Sequence, residues 1–175
     1  MDHLHRRNSY DAVRNPSCRD LIRAPVTDVL FYHLQNQPLE RVLPALLARS
    51  VERGWKVVVE AATPERVEAL DSLLWTYSDE SFLPHGTDRE TDAALQPIVI
   101  TTRQDRPNGA SVRFLVDGAA LPADSATYDR LVLMFDGNDP DAVDRARQQW
   151  REAKGGGHAC TYWQQNDAGR WEKKA

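Results

Sequence analysis

Cysteine is nearly absent from this sequence: Cys18 and Cys160 are the two in 175 residues. Two cysteines cannot build a disulfide framework, so a reducing cytoplasm is the expected setting. Long apolar runs are missing too. No stretch approaches the roughly 20 residues that cross a bilayer, and the first residues lack the apolar segment of a secretory signal, so no membrane role is expected. Nor is there an excess of positive charge: 22 Lys and Arg stand against 26 Asp and Glu, a formal net charge of -4. That excludes a whole-molecule basic footprint for duplex DNA; any contact with nucleic acid needs a local patch. The remaining composition, 41% apolar and 27% charged, suits one domain with a full core.

Residues 1–25 are rich in Arg, Asp and Asn and have almost no apolar periodicity, which predicts a poorly ordered N-terminal extension. Regular patterning begins at Val26, and residues 26–175 read as a single domain. Asp28 to His33 is a β-branched and aromatic run, hence a strand. Leu39, Val42, Leu43, Leu46, Leu47 and Val51 then recur at helical spacing, with Pro44 predicting a kink or a fresh start. Gly54 closes that helix, and Trp55 to Glu60 is a second strand with a buried composition. Thr63-Pro64-Glu65 opens the next helix with a capping hydroxyl, a proline and an acid, and that helix ends near Trp75. Tyr77 to Gln96 is polar and irregular. Pro97 to Thr101 and Val112 to Val116 are strands around a Pro107-Asn108-Gly109 turn, and this tight connection predicts an antiparallel pair. Arg130 to Phe135 is the most apolar strand. Asp139-Pro140-Asp141 starts the last helix, Gly155-Gly156-Gly157 stops it, and a short strand Ala159 to Trp163 precedes a final turn at Asp167-Ala168-Gly169. Strands alternating with helices predict an α/β fold of three layers, with helices on both faces of a mixed, largely parallel sheet.

Such folds often bind nucleotides, but the chemistry for it is missing. Phosphate binding requires bare backbone in the turn between first strand and first helix. Here that turn reads Leu34-Gln35-Asn36-Gln37-Pro38, without a glycine. The glycine cluster at 155–157 follows a helix, the wrong end of the dipole for an anion. No cofactor is expected. Metal and hydrolase motifs are missing, and His3 and His5 lie in the loose extension. His158 and Cys160, two apart on a strand, could share a face as base and nucleophile, yet no third orienting group is visible and a packing cysteine is the plainer reading.

The last helix carries the most information. Val143, Ala146, Trp150 and Ala153 form an inward stripe, and Arg147, Arg151 and Lys154 form a basic row beside Trp150. Cations near a helix C-terminus also suit its dipole, and a tryptophan on an apolar edge also suits a core. The functional alternative is a pocket for an acidic peptide with an aromatic end: guanidiniums take the carboxylate and Trp150 covers the ring.

Three segments carry a family resemblance. Leu74-Trp75-Thr76-Tyr77 with Ser81-Phe82-Leu83-Pro84-His85-Gly86, the opening Asp28 to Arg53 with Pro44, and the closing Phe135-Asp136-Gly137 with Ala146-Arg147 and Trp150 resemble the chi subunit of bacterial DNA polymerase III. The resemblance implies a mononucleotide-binding-like fold without polymerase or nucleotide-hydrolysing activity. It implies a chain that binds the acidic, phenylalanine-terminated tail of single-stranded DNA-binding protein and joins the clamp loader through the psi subunit or another component, touching DNA only indirectly. In that family the tail-binding arginine matches Arg147, the pocket aromatic (a tyrosine) matches Trp150 and the following cation (a lysine) matches Arg151. Phe135 belongs to the matched closing strand, and a further cationic position falls on Val143, a departure that weakens the attraction. The clamp-loader contact matches the region of Trp75, Tyr77 and Phe82. Family members begin just before the first strand, so the expected natural start is Val26; a lineage-specific arm is the rival. The readings from other classes are a stand-alone adaptor for acidic C-terminal peptides and a small α/β enzyme using Cys160.

Overall fold

The computed structural model describes residues 26–175. Expectations for the leading extension, its start, Cys18, His3 and His5 lie outside the described residues. Eight strands and three α-helices follow one another as β1 (Asp28–Leu34), α1 (Leu39–Glu52), β2 (Val57–Glu60), α2 (Pro64–Thr76), β3 (Gly86–Thr87), β4 (Ile98–Thr101), β5 (Val112–Leu115), β6 (Arg130–Asp136), α3 (Pro140–Gly155), β7 (Ala159–Gln165) and β8 (Trp171–Lys173). They form one sheet in the order β3-β4-β2-β5-β6-β1-β7-β8, parallel except for the β7–β8 pair. The expected α/β class and three-layer, largely parallel architecture are as observed.

The helix signals act locally as read. The Thr63 hydroxyl accepts the N–H of Arg66, and the Asp139 carboxylate accepts the N–H of Asp141, in each case with proline in the first turn. A cap of this kind is worth about 1 kcal/mol. Pro44 does not break α1, which runs through it. The bond it forfeits is to the carbonyl of Glu40, an exposed residue in the first turn, where water can replace the missing donor. Gly157, at φ 80, turns the chain out of α3 into β7, a backbone state that only glycine adopts without strain.

Alternation along each strand divides the core into two layers. On one face Val42, Leu43 and Leu47 of α1 and Val67, Leu70 and Leu74 of α2 pack against Val57, Val59, Ile98, Ile100, Phe114 and Val132. On the other, Ala146 and Ala153 of α3 pack against Val29, Phe31, Leu131 and Leu133, with Val143 and Trp150 partly buried beside them. The inward stripe of α3 differs from the sequence expectation at one place: Gln149 is buried, its amide donating to the carbonyl of Ala119 at 2.8 Å.

The antiparallel β4–β5 pair is a correction. The two strands do not touch; β2 lies between them and both run parallel to it. Instead of making a hairpin, residues 102–111 run back along β2, from the carboxyl end of β4 to the amino end of β5. Asn108 donates to the carbonyls of Val57 and Gln96, and the guanidinium of Arg113 reaches the carbonyls of Arg103 and Asp105. Arg113 is itself fully buried and holds the Glu60 carboxylate at 2.8 and 3.0 Å. Strand β8, which pairs with β7, was not foreseen either.

Candidate partner-binding surfaces

The α3 face gathers the sequence-predicted tail site. Strand β1 runs parallel between β6 and β7, so their same-face residues stand side by side: His33 lies opposite Phe135 of β6, and Phe31 opposite Tyr162 of β7. Trp150 closes this row from above, its ring edge-on to Phe31 at 5.2 Å and to Tyr162 at 6.0 Å. His33 lies 5.1 Å from Phe135 and 5.9 Å from Tyr162, and its Nδ1 makes a 2.5 Å hydrogen bond with the Tyr162 hydroxyl. The result is a half-open aromatic box under the basic row of α3.

Arg147 and Arg151 are exposed above it. Arg147 is tied only loosely to Asp144, at 3.5 Å with both side chains about 70% exposed, a pairing of little worth. Lys154 sits 5.1 Å over the Trp150 ring. Val143 is half-buried against the core and Phe135 is buried beneath the row. All five tail-site residues named from sequence therefore lie on one face, but Phe135 acts as floor rather than as contact surface. His33 and Tyr162 were missed. Their signal was available in the alternation Val29, Phe31, His33 and Cys160, Tyr162, Gln164, which places each on the α3 side.

Electrostatics keeps the box neutral beneath a charged rim. Burial, helped by the Arg147 charge and opposed by Asp136, lowers the His33 imidazole below its ordinary value. Burial raises the Tyr162 phenol, against the pull of Arg147. His33 Nε2 is buried and has no hydrogen-bond partner among the described residues. It lies where a side chain at residue 137 would go: a Cβ on Gly137 would fall 1.9 Å from Nε2 and 2.8 Å from the carbonyl oxygen of Leu34. Glycine in the Phe135-Asp136-Gly137 segment is thus required by contact. Gly137→Ala is expected to cost about 1–3 kcal/mol by overpacking. A thermal melt with the double variant His33→Ala/Gly137→Ala checks the cause, since removing the ring should restore part of the loss.

Trp75 and Phe82 form a second surface, beside β3. The two residues are 57% and 71% exposed, with their ring centroids 5.8 Å apart. Leu83 is buried in the core beneath them, and the buried His85 lies between the Leu83 carbonyl, 2.7 Å from its Nδ1, and Asp71, whose carboxylate and carbonyl oxygens are 3.1 and 3.2 Å from its Nε2; this ties the loop to α2 and leaves Phe82 exposed. Tyr77, by contrast, is half-buried against the core.

The Cys160–His158 pair is not assembled as nucleophile and base. The thiol is directed at the backbone carbonyl of His158, 3.7 Å away, while the imidazole bonds the Ser125 hydroxyl at 3.1 Å. Burial pushes the thiol up, against a small opposing effect of Lys154, so it stays protonated. A crevice of about 540 Å³ lies at the carboxyl ends of the strands, on the other flank of α3. It is lined by Glu40, Asp117, Asp136 and Asp139 as well as Arg66 and Arg145, and Arg66 is already clamped by Asp117 at 3.0 and 3.1 Å. No described helix is long and apolar enough to cross a membrane.

The sequence pattern of the family described as DNA polymerase III chi subunit, HolC, matches residues 26–161. This chain belongs to that family. Membership places it in DNA replication. A probable DNA polymerase III subunit chi from Rickettsia prowazekii (strain Madrid E) is 33% identical over 85 residues, 49% of this chain and 52% of the relative. The chain thus aligns with about half the length of that curated chi protein. The family match includes β1, β6 and α3 but stops one residue short of Tyr162, so the chi pattern covers the rim and floor of the aromatic box and not its β7 wall.

Proposed function

We propose that this chi-family chain is a non-catalytic accessory subunit of the cytoplasmic DNA polymerase III holoenzyme. Its α3 face binds the acidic, phenylalanine-terminated tail of single-stranded DNA-binding protein, and its Trp75–Phe82 surface joins the clamp loader through a psi subunit or another component. The observation that carries the first part is the half-open box of Trp150, Tyr162, Phe135 and His33 beneath the exposed Arg147 and Arg151. A terminal phenylalanine can lay its ring against the box while its carboxylate meets a guanidinium. Because the protein is acidic overall, attraction for the tail is confined to this rim. The clamp-loader part rests on two large exposed aromatic rings, Trp75 at the end of α2 and Phe82 in the loop after it, the usual composition of an interface anchor.

The test is calorimetric titration with the C-terminal peptide of the cognate single-stranded DNA-binding protein. Binding should weaken with salt, and Arg147→Ala should weaken it by about 1–3 kcal/mol while circular dichroism stays native. Deleting the terminal phenylalanine should cost more than deleting one upstream acid. Unchanged affinity in either experiment would refute the pocket.

A further inference from the structure

A second groove lies on the opposite face of the sheet. Helix α1 packs on β2 and β6 there, and no helix among the described residues covers the strip formed by β1, β7 and β8. The groove has a volume of about 380 Å³, and its lining includes Tyr32, Arg49, Arg53, Trp55, Arg130 and Trp163. Two features set it apart. Among the described residues its lining contains three arginines and no Asp or Glu, in a chain whose acids outnumber its bases, 26 to 22. Its walls are also aromatic. Tyr32 stacks with Trp163 at 6.4 Å and 11°, and meets Trp171 edge-on at 5.0 Å. The Trp55 ring has Arg53 at 5.0 Å and Arg130 at 4.9 Å.

The guanidiniums converge. Arg130, Arg49 and Arg53 all act on the Tyr32 phenol, whose value burial nevertheless raises. Arg49, in the last turn of α1, and Arg53, which caps its end, are both exposed. Of the three, Arg130 has an ion pair, with Asp28 at 3.8 Å on the rim, and the Asp28 side chain is largely exposed. The groove is therefore built for an anion with flat apolar parts.

The geometry points to a short single-stranded nucleic acid, one or two nucleotides of which sit in this groove. Bases stack on aromatic rings and guanidinium planes, and phosphodiesters need only cations. A peptide that adds as a strand does not fit. Peptides bound in an extended form take backbone hydrogen bonds from a free strand edge. The floor here is β5, β6, β1 and β7, internal strands with neighbours on both sides, so it offers no such edge. The overall charge of -4 limits the site to a local one, which is what three arginines provide. Contact with DNA is then direct at this face, in addition to the indirect contact implied by chi membership.

The experiment is fluorescence anisotropy of a labelled oligothymidylate of about ten nucleotides titrated with the full chain at low salt. Binding is expected, with log K falling against log salt at a slope of about -2 for three neutralised phosphates. The double variant Arg49→Glu/Arg53→Glu alters two exposed positions, should keep the native melt, and is expected to lose about tenfold or more in affinity. Tryptophan fluorescence should quench on binding in the parent and not in that variant. The same variant should bind the acidic tail peptide normally, and Arg147→Ala should bind the oligonucleotide normally, so this site and the α3 site fail independently. The proposal is overturned by an absence of binding at low salt, by full affinity in the double charge reversal, by equal affinity for a duplex of the same length, or by displacement of the oligonucleotide with the acidic peptide.

Discussion

Replacing Arg113 with methionine is expected to destabilise the protein by about 3–5 kcal/mol, enough to lower the melting temperature by about 6–20 °C in a domain of this size. The reason is what remains behind. Glu60 would keep a buried carboxylate without its two guanidinium bonds, and the carbonyls of Arg103 and Asp105 would lose their donor. Tyr128 loses a partner as well, since its hydroxyl accepts from Arg113 at 3.3 Å. The loss should depend on pH in a definite direction. Burial already holds the Glu60 carboxyl above its ordinary value, outweighing the downward pull of Arg113. A raised carboxyl favours the folded state while protonated, and that advantage disappears as pH rises through its folded value. Without Arg113 the value rises further. The deficit of Arg113→Met relative to the parent should therefore be greatest at neutral pH and shrink as the solution is acidified through that raised value. Glu60→Gln in the same chain should recover much of it at neutral pH, because no charge is then stranded. Chemical denaturation at several pH values decides; a deficit that stays constant with pH would mean that the buried pair is not its source.

Trp150→Ala should act twice. The ring is part of the core through Phe31 and Tyr162, so its removal is expected to cost about 3 kcal/mol of stability. It also covers the tail pocket, so peptide affinity should fall by a further 1–3 kcal/mol or about that. Trp150→Phe separates the two effects. An aromatic ring is retained against Phe31 and Tyr162, so most of the stability should return, and the tail should still find a flat surface. Melting curves and peptide titrations of both variants provide the check. If Trp150→Ala melts like the parent, the ring is an outer contact only, and the floor of the pocket would have to be described by Phe135 and Tyr162 alone.

The sequence disclosed the helices because their punctuation is local: Thr63-Pro64-Glu65 and Asp139-Pro140-Asp141 cap their own backbone amides. It misled at β4 and β5 because Pro107-Asn108-Gly109 is also a local signal, whereas the insertion of β2 between those strands is decided far away in the chain. Nothing within the strand Val112 to Val116 marks Arg113 as buried; its burial follows from the position of Glu60, fifty-three residues earlier. Helical spacing was sufficient to bring Arg147, Trp150 and Arg151 together. It could not supply His33 or Tyr162, which reach the site through the β6-β1-β7 register.

The sheet order has a consequence for how the proposed partners would be joined. The Trp75–Phe82 surface stands beside β3, first in the order, and the box wall Tyr162 is on β7, seventh. Six steps of about 4.8 Å separate them by about 29 Å across a rigid floor. Ligands at the two ends do not compete and need not communicate. Where the two ligands are themselves held on one strand of DNA, each contact keeps the other at a high effective concentration, and two modest affinities combine into a lasting bridge. Either end could then release and rebind while its partner at the other end stays in place.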